Sequence, residues 1–280
     1  MVFSQLAGAT AAAKSLAPTA CTTIEEVGST GVGALTLGFV LLSVTTVILI
    51  YKAFNSDIER RKYFFACTFI CGISTYAYFA MLSGQGWTAI SGCRQFFYAR
   101  YVDWVLTTPL TILVLGLVAG VELEVIAAVA GADVLMIVCG YMGAVSVVTT
   151  VKWFWYIFGL IMFIPVVYSL ARVFRETVLN RKDPEMIQLY GKLAWLTIII
   201  WAFYPVVWLF SEGFASFSVS FEVVGYTIMD LIAKCLFCFM VVQADPILGP
   251  HTHVPTQQQE YVTLDHHVRT RVGVTRLCGI

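Results

Sequence analysis

Seven stretches of this chain are apolar over about 20 consecutive residues each, the length at which a helix crosses the hydrocarbon core of a membrane. None shows the alternation of apolar and polar residues that marks an outer-membrane strand. Hydrophobic residues make up 59% of the chain and charged residues 12%, which excludes an ordinary soluble composition. The sequence therefore predicts an all-α membrane protein built as a bundle of seven transmembrane helices. The predicted spans are residues 31–51, 63–83, 100–118, 125–148, 153–170, 193–210 and 223–242.

Lysine and arginine are concentrated on one side of the predicted bundle, and this distribution indicates orientation. Twelve lie in the first loop, the fifth loop and the tail, against three on the other side, among them Arg94. We therefore expect the amino terminus outside the cell and the carboxyl terminus in the cytoplasm, as in a multi-pass protein of the cell membrane. The expected parts are an extracellular segment at 1–30, a seven-helix domain at 31–243 and a poorly ordered tail at 244–280.

Cysteine usage separates two groups. Cys21 and Cys93 both fall on the predicted outer side, where conditions are oxidising, so they are candidates for a disulfide bond within one chain or between subunits. Five further cysteines lie inside the predicted spans, where cysteine packs as a small apolar residue. Net charge is zero at pH 7, which argues against nucleic acid as a partner.

Lys234 lies in the middle of the last apolar span, with Asp230 four residues before it. A charge at that depth costs several kcal/mol unless it is paired or chemically changed, so it marks a functional site. A desolvated lysine loses its proton readily and can condense with an aldehyde, and a protonated imine then needs a buried anion. Asp230, one helical turn away on the same face, is placed to supply that anion.

Three other ionisable residues fall inside the spans: Arg100, Asp103 and Asp133. Arg100 and Asp103 share one face of the third helix with Thr107, which makes a polar stripe. If the third and seventh helices face each other, Asp103 and Asp230 flank the imine, with Arg100 balancing the excess negative charge. The alternative is an ion-pair network that only fixes helix packing.

Aromatic residues within the spans suggest a slot for a long conjugated ligand. Three of them follow one face of the sixth helix at spacings i, i+3 and i+7, beside a proline able to kink that helix. Taken one by one, such residues are more often core filler or interface anchors, but the lysine favours a ligand pocket. The residues are Trp104, Trp155, Trp201, Tyr204, Pro205 and Trp208.

Three motifs occur in the order found in a known family. Residues 100–110, RYVDWVLTTPL, resemble the third-helix signature of the microbial rhodopsins, and most nearly that of the bacteriorhodopsin-like proton pumps. Residues 201–208, WAFYPVVW, look like their sixth helix, and 230–234, DLIAK, like their retinal-binding seventh. The resemblance implies all-trans retinal bound covalently to Lys234 as a Schiff base and isomerised by light.

The resemblance also assigns roles to single residues. Asp103 matches the primary counterion and proton acceptor, Asp230 the second counterion, and Thr107 the hydroxyl beside the acceptor. Arg100 matches the arginine that swings when the acceptor is protonated. The residues that match tyrosines hydrogen-bonded to this cluster are Tyr78 and Tyr204. Those that match the retinal pocket are Trp104, Thr108, Asp133, Met136, Gly140, Trp201 and Trp208.

The resemblance also assigns residues to proton release and to the wavelength at which the bound retinal absorbs. Glu212 and Glu222 match the paired glutamates from which such pumps release a proton to the outside. Thr111 falls where related pumps hold a leucine or glutamine that tunes colour, and its hydroxyl is expected to shift absorption toward shorter wavelength.

Val114 departs from the family pattern, because the pumps usually carry there the carboxylate that returns a proton to the imine. Valine donates no proton, so reprotonation should be slow. Three functions stay open: an outward proton pump with slow reprotonation, a sensory rhodopsin with a slow photocycle, and a light-gated cation channel. None is an enzyme. The expected partners are the lipid bilayer, protons, or cations for a channel, and further copies of the chain in a homo-oligomer.

Overall fold

The structure, a computed structural model, describes residues 21–248, and these contain seven helices long and apolar enough to cross a membrane. The predicted seven-helix membrane fold is confirmed. The expectations for residues 1–20 and for the tail beyond 248 lie outside the described residues. The helices are α1 (Ser29–Asn55), α2 (Ile58–Leu82), α3 (Tyr98–Ala119), α4 (Leu123–Ala144), α5 (Thr149–Asn180), α6 (Pro184–Gly213) and α7 (Val219–Gln243).

Several helices extend beyond the apolar runs from which they were predicted. The sixth was expected at 193–210 but begins at Pro184, where Asp183 caps it by accepting hydrogen bonds from the backbone N–H groups of Glu185 and Met186 at 3.1 and 3.3 Å. A proline in the first turn and an acidic cap both favour a helix start. Hydropathy locates the part of a helix inside the membrane and does not detect the polar turns that continue it.

Consecutive helices pack against each other, α7 also packs against α1, and α3 reaches across the bundle to α6. α3 and α7 are the most enclosed, with 56% and 50% of their most apolar segments buried. These two helices carry Asp103, Asp230 and Lys234. Their central position therefore places the predicted charged residues in the interior of the bundle.

Two of the helices widen into π-helical turns where functional residues were predicted. In α7 the turn covers Leu231–Leu236 and includes Lys234, and in α6 it covers Leu209–Gly213 and includes Glu212. α5 contains a third such turn at Ser169–Val173. π-Helical turns occur frequently at functional sites, since the extra residue changes the direction in which side chains point.

One end of the bundle carries a β-hairpin, and we call it the hairpin end. Strands β1 (Thr88–Ile90) and β2 (Arg94–Phe96) pair antiparallel between α2 and α3. Glu25 adds two backbone hydrogen bonds to the hairpin, to Cys93 O at 2.8 Å and from Gln95 N at 3.0 Å. The Cys21–Cys93 disulfide forms within the chain and ties the same segment down. α3 and α7 begin at the hairpin end. The other end of the bundle, where these two helices finish, is called the opposite end.

At Gly38, α1 packs closely against α2 and α7. A Cβ at this position would collide with the ring of Tyr78 and lie 3.1 Å from Thr227 Cγ2. Gly33, on the same helix, has nothing within 4 Å of its Cβ position. The absence of a side chain at Gly38 therefore lets Tyr78 occupy its place.

We expect Gly38→Ala to destabilise the protein by about 1–3 kcal/mol, the usual effect of overpacking a close contact. Gly33→Ala is the matched control and should not lower stability. Thermal unfolding of the two variants, followed by far-ultraviolet circular dichroism, measures the difference. Equal midpoints would contradict the close packing of α1 on Tyr78.

Candidate functional site

Lys234 lies between the two carboxylates that the sequence placed beside it. Its Nζ contacts Asp103 Oδ2 and is 3.1 Å from Asp230 Oδ1. All three residues are at most 3% exposed. A buried ammonium with two buried carboxylates leaves one negative charge in excess, so how each carboxylate is held decides which of them is the better base.

Asp230 is surrounded by hydrogen-bond donors. Tyr78 donates from its hydroxyl to Oδ2 at 2.8 Å, Tyr204 donates to Oδ1 at 2.8 Å, and the indole N–H of Trp104 donates to Oδ1 at 3.1 Å. Both predicted tyrosines therefore reach the cluster. Hydrogen bonds from these three donors stabilise the carboxylate of Asp230.

Asp103 has fewer donors. Besides Lys234, it receives a hydrogen bond to Oδ1 from Ser74 of α2 at 2.6 Å. Thr107 does not serve the carboxylate directly, since its hydroxyl donates to the backbone oxygen of Asp103 at 2.9 Å. Sequence reasoning missed Ser74, although its position one turn before Tyr78 on the same helix face was a usable signal.

Arg100 points away from Lys234 and toward the hairpin end. Its Nη1 donates to Glu222 Oε1 at 2.8 Å, and its guanidinium lies 4.3 Å from the centre of the Tyr226 ring. Arg94, missed as a functional candidate, donates from Nη2 to the other oxygen of Glu222 at 2.8 Å. Two guanidinium groups therefore hold one buried carboxylate.

Glu212 lies nearby but has a different set of partners. Tyr101 and Tyr226 donate to its carboxyl oxygens at 3.1 and 3.3 Å, and Ser211 also contacts it. The two glutamates that were predicted as a pair have no hydrogen bond between them among the described contacts. They are linked through Tyr226, whose ring lies against Arg100 and whose hydroxyl reaches Glu212.

A cavity next to Lys234 matches most of the predicted pocket. Predicted members on its wall are Trp104, Thr107, Thr108, Thr111, Met136, Gly140, Trp201, Tyr204, Pro205, Trp208 and Lys234. Members that sequence reasoning missed are Tyr101, Ile137, Tyr156, Gly159, Leu160, Phe163, Tyr226 and Ala233. Apolar and aromatic surface dominates the wall, which suits a long apolar ligand attached at the lysine.

Two predicted pocket residues do not line the cavity. Trp155 lies off the wall, and its neighbour Tyr156 takes that place, stacked on Trp208 with ring centres 4.8 Å apart. Successive residues of a helix point about 100° apart, so a one-residue error in helix phase selects the wrong aromatic. Asp133 lies behind the wall, 2.5 Å from the hydroxyl of Thr108.

The opposite half of the bundle is apolar around Val114, which is fully buried in the larger apolar cluster. The carboxylates buried within residues 21–248 are Asp103, Asp133, Glu212, Glu222 and Asp230. Val114 lies eleven residues beyond Asp103 along α3, about 16 Å nearer the opposite end. The residue at this position of α3 therefore has no proton to donate.

Comparison with known proteins places this geometry in a family. The model of the bacteriorhodopsin-like protein family matches residues 32–246. Archaerhodopsin-1 from Halorubrum ezzemoulense is 34% identical over 218 residues, covering 76% of this chain and 84% of that protein.

Solved structures agree. Rhodopsin CsR from Coccomyxa subellipsoidea, described as a light-driven proton pump, superposes with a TM-score of 0.77 at 28% identity, over 79% of this chain and all of that one. Thermophilic rhodopsin from Rubrobacter xylanophilus gives a TM-score of 0.75 at 33% identity, over 78% of this chain and 97% of that one. The chain therefore belongs to the bacteriorhodopsin-like family of multi-pass, retinal-binding membrane proteins.

Proposed function

We propose that this protein is a light-driven pump that moves protons outward across the cell membrane, with all-trans retinal bound covalently to Lys234. The observation that carries the proposal is the unequal hydrogen bonding of the two carboxylates beside Lys234. The proton-pump description of rhodopsin CsR supports it. The hairpin end is then the outer end, in agreement with the distribution of basic residues.

The cavity fits retinal in shape and chemistry. Aromatic side chains of α3 and α6 line the cavity, and Lys234 of α7 forms part of its wall. When bound, retinal supplies a light-driven change of shape that redirects the Lys234 nitrogen. The surrounding rings also keep water away from that nitrogen, so its proton passes to protein groups.

Asp103 is the group that takes this proton. Asp230 accepts hydrogen bonds from two tyrosines and a tryptophan, and protonation would weaken all three. Asp103 accepts one hydrogen bond besides that of Lys234, so protonation disturbs less of its surroundings. The difference makes Asp103 the better base and leaves Asp230 as the permanent counterion.

Release to the outside involves the glutamates at the hairpin end. Neutralising Asp103 removes a negative charge on the Lys234 side of Arg100, and Arg100 transmits this change because it already contacts Glu222 and Tyr226. When the attraction between Arg100 and Asp103 weakens, the positive charge of Arg100 acts more strongly on Glu212 and Glu222. A proton held by these glutamates is thereby released to the outside.

Return of a proton from the cytoplasm is slow because Val114, at the position of the family's proton donor, has no proton to give. Val114 stands in the apolar cluster at the family's usual donor position. A proton must then reach the Lys234 nitrogen from bulk water without a local donor. The same long-lived state would suit a sensory rhodopsin, which is the second candidate function.

Voltage-clamp recording under illumination tests the pump. We expect outward current at zero driving force from the wild type, and none from Lys234→Ala or Asp103→Asn, since these lack the retinal attachment point and the proton acceptor. A current that reverses with the ion gradient would identify a channel. The absence of current in a pigment that completes its photocycle would identify a sensor.

Recovery of the deprotonated state should slow about tenfold for each unit rise in bulk pH, because its rate then follows the proton concentration. Val114→Asp should accelerate recovery by a factor on the order of 10² and weaken its pH dependence, as expected for an added general acid. Val114→Asn is the matched polar control without a dissociable proton. Flash photolysis measures the recovery rates of the wild type and both variants. Equal acceleration by Val114→Asn and Val114→Asp would mean that added water near position 114, and not proton donation by the carboxyl group, speeds recovery.

The cavity wall provides a test of retinal placement. Tyr156→Ala should shift the visible absorption band and speed bleaching by hydroxylamine, because it removes the stack on Trp208 and the hydrogen bond to Pro205 O at 3.2 Å. Trp155→Ala, the adjacent control, should leave both unchanged. Equal effects from the two variants would place retinal elsewhere.

A further inference from the structure

Four charged side chains form a continuous ionic chain at the hairpin end. Arg94 is 3.2 Å from Glu25 Oε2 and 2.8 Å from Glu222 Oε2, and Arg100 is 2.8 Å from Glu222 Oε1. The side chains of Arg94, Arg100 and Glu222 are at most 6% exposed, whereas that of Glu25 is 50% exposed. Negative and positive charges alternate along the chain and cancel.

We propose that Arg94 is a positioning residue for proton release: it holds Glu222 as a carboxylate, so that the proton to be released resides on Glu212. The inference rests on the proposed pump and adds a residue that the mechanism above does not need. Each oxygen of Glu222 faces its own guanidinium. A proton on Glu222 would leave two buried positive charges poorly compensated, which is unfavourable in a water-poor interior.

Glu212 is in the reverse situation. Its carboxyl group is buried and faces the neutral hydroxyls of Tyr101, Tyr226 and Ser211. The ammonium of Lys152 donates at 2.7 Å to the backbone oxygen of Glu212, and no ion pair joins it to the carboxyl group of Glu212 among the described contacts. A buried carboxyl group that no cation contacts among residues 21–248 favours its neutral form.

The hydrogen count at Ser211 points the same way. Its hydroxyl lies 2.7 Å from Val207 O and also contacts Glu212 Oε2. A hydroxyl has one hydrogen to donate, and the backbone oxygen can only accept. A protonated Glu212 that donates to Ser211 leaves the hydroxyl hydrogen free for Val207 O, so the two contacts are compatible with a neutral carboxyl group.

The hairpin fixes Arg94 in this position. Arg94 follows Cys93, which is tied to Cys21, and Glu25 binds the hairpin through its backbone as well as through its side chain. Glu25 Oε1 also accepts a hydrogen bond at 3.2 Å from the backbone N–H of Val219, at the start of α7. The same segment thereby connects Arg94 to the helix that bears Glu222.

Infrared spectra of the retinal-bound protein in lipid nanodiscs, recorded in the dark, test the proposal without any pumping. Glu212→Gln should remove one protonated-carboxyl band, whereas Glu222→Gln should remove only carboxylate bands. Arg94→Gln and Arg94→Met should each add one protonated-carboxyl band, from Glu222. Arg94→Lys, which keeps the charge, should add none, and using two neutral variants covers the case in which one does not fold.

The outcomes separate this inference from the proposed function. Loss of the protonated band in Glu222→Gln, or its survival in Glu212→Gln, would overturn the location of the proton. Unchanged carboxyl bands in both neutral Arg94 variants would overturn the role of Arg94. Failure of the pump itself appears only in the illuminated voltage-clamp recordings, which the dark spectra do not involve.

Discussion

The contact of Lys234 with Asp103 and Asp230 is the interaction on which the rest of the interior depends. One ammonium and two carboxylates leave an excess negative charge, and neighbouring helices supply hydrogen-bond donors that stabilise it. α2 supplies Tyr78 and Ser74, and α6 supplies Tyr204. Polar side chains that face inward from these helices therefore stabilise the excess negative charge in the interior of the bundle.

The two halves of the bundle differ in their content of ionisable groups. From Lys234 to the hairpin end, ionisable groups follow one another through Asp103, Arg100, Glu222 and Glu212. Toward the opposite end, the core around Val114 is apolar. Under the proposed pump, a proton leaving Lys234 meets acceptors on one side only, while its replacement has no local donor.

Hydropathy and spacing predicted the seven helices and the pairing of Lys234 with Asp230, because both depend on residues close together in sequence. Arg94 was counted only as a loop charge, since its partner Glu222 lies 128 residues away and a single sequence does not indicate that contact. Ser74 was missed although its position one turn before Tyr78, on the same helix face, was a usable signal. The choice of Trp155 over Tyr156 shows that a one-residue error in helix phase is enough to misassign a pocket wall.

Single hydroxyl groups beside buried carboxyl groups can serve either protonation state of their neighbours. Thr108 lies 2.8 Å from Trp104 O and 2.5 Å from Asp133 Oδ2, so a neutral Asp133 can donate to Thr108 while the Thr108 hydrogen goes to Trp104 O. Ser74 lies 3.0 Å from Ile70 O and 2.6 Å from Asp103 Oδ1.

When Asp103 is ionised, the Ser74 hydroxyl can donate to it. Under the proposed pump, a protonated Asp103 can donate to Ser74, whose own hydrogen then turns to Ile70 O. One hydroxyl thus satisfies both states of the acceptor without any backbone movement.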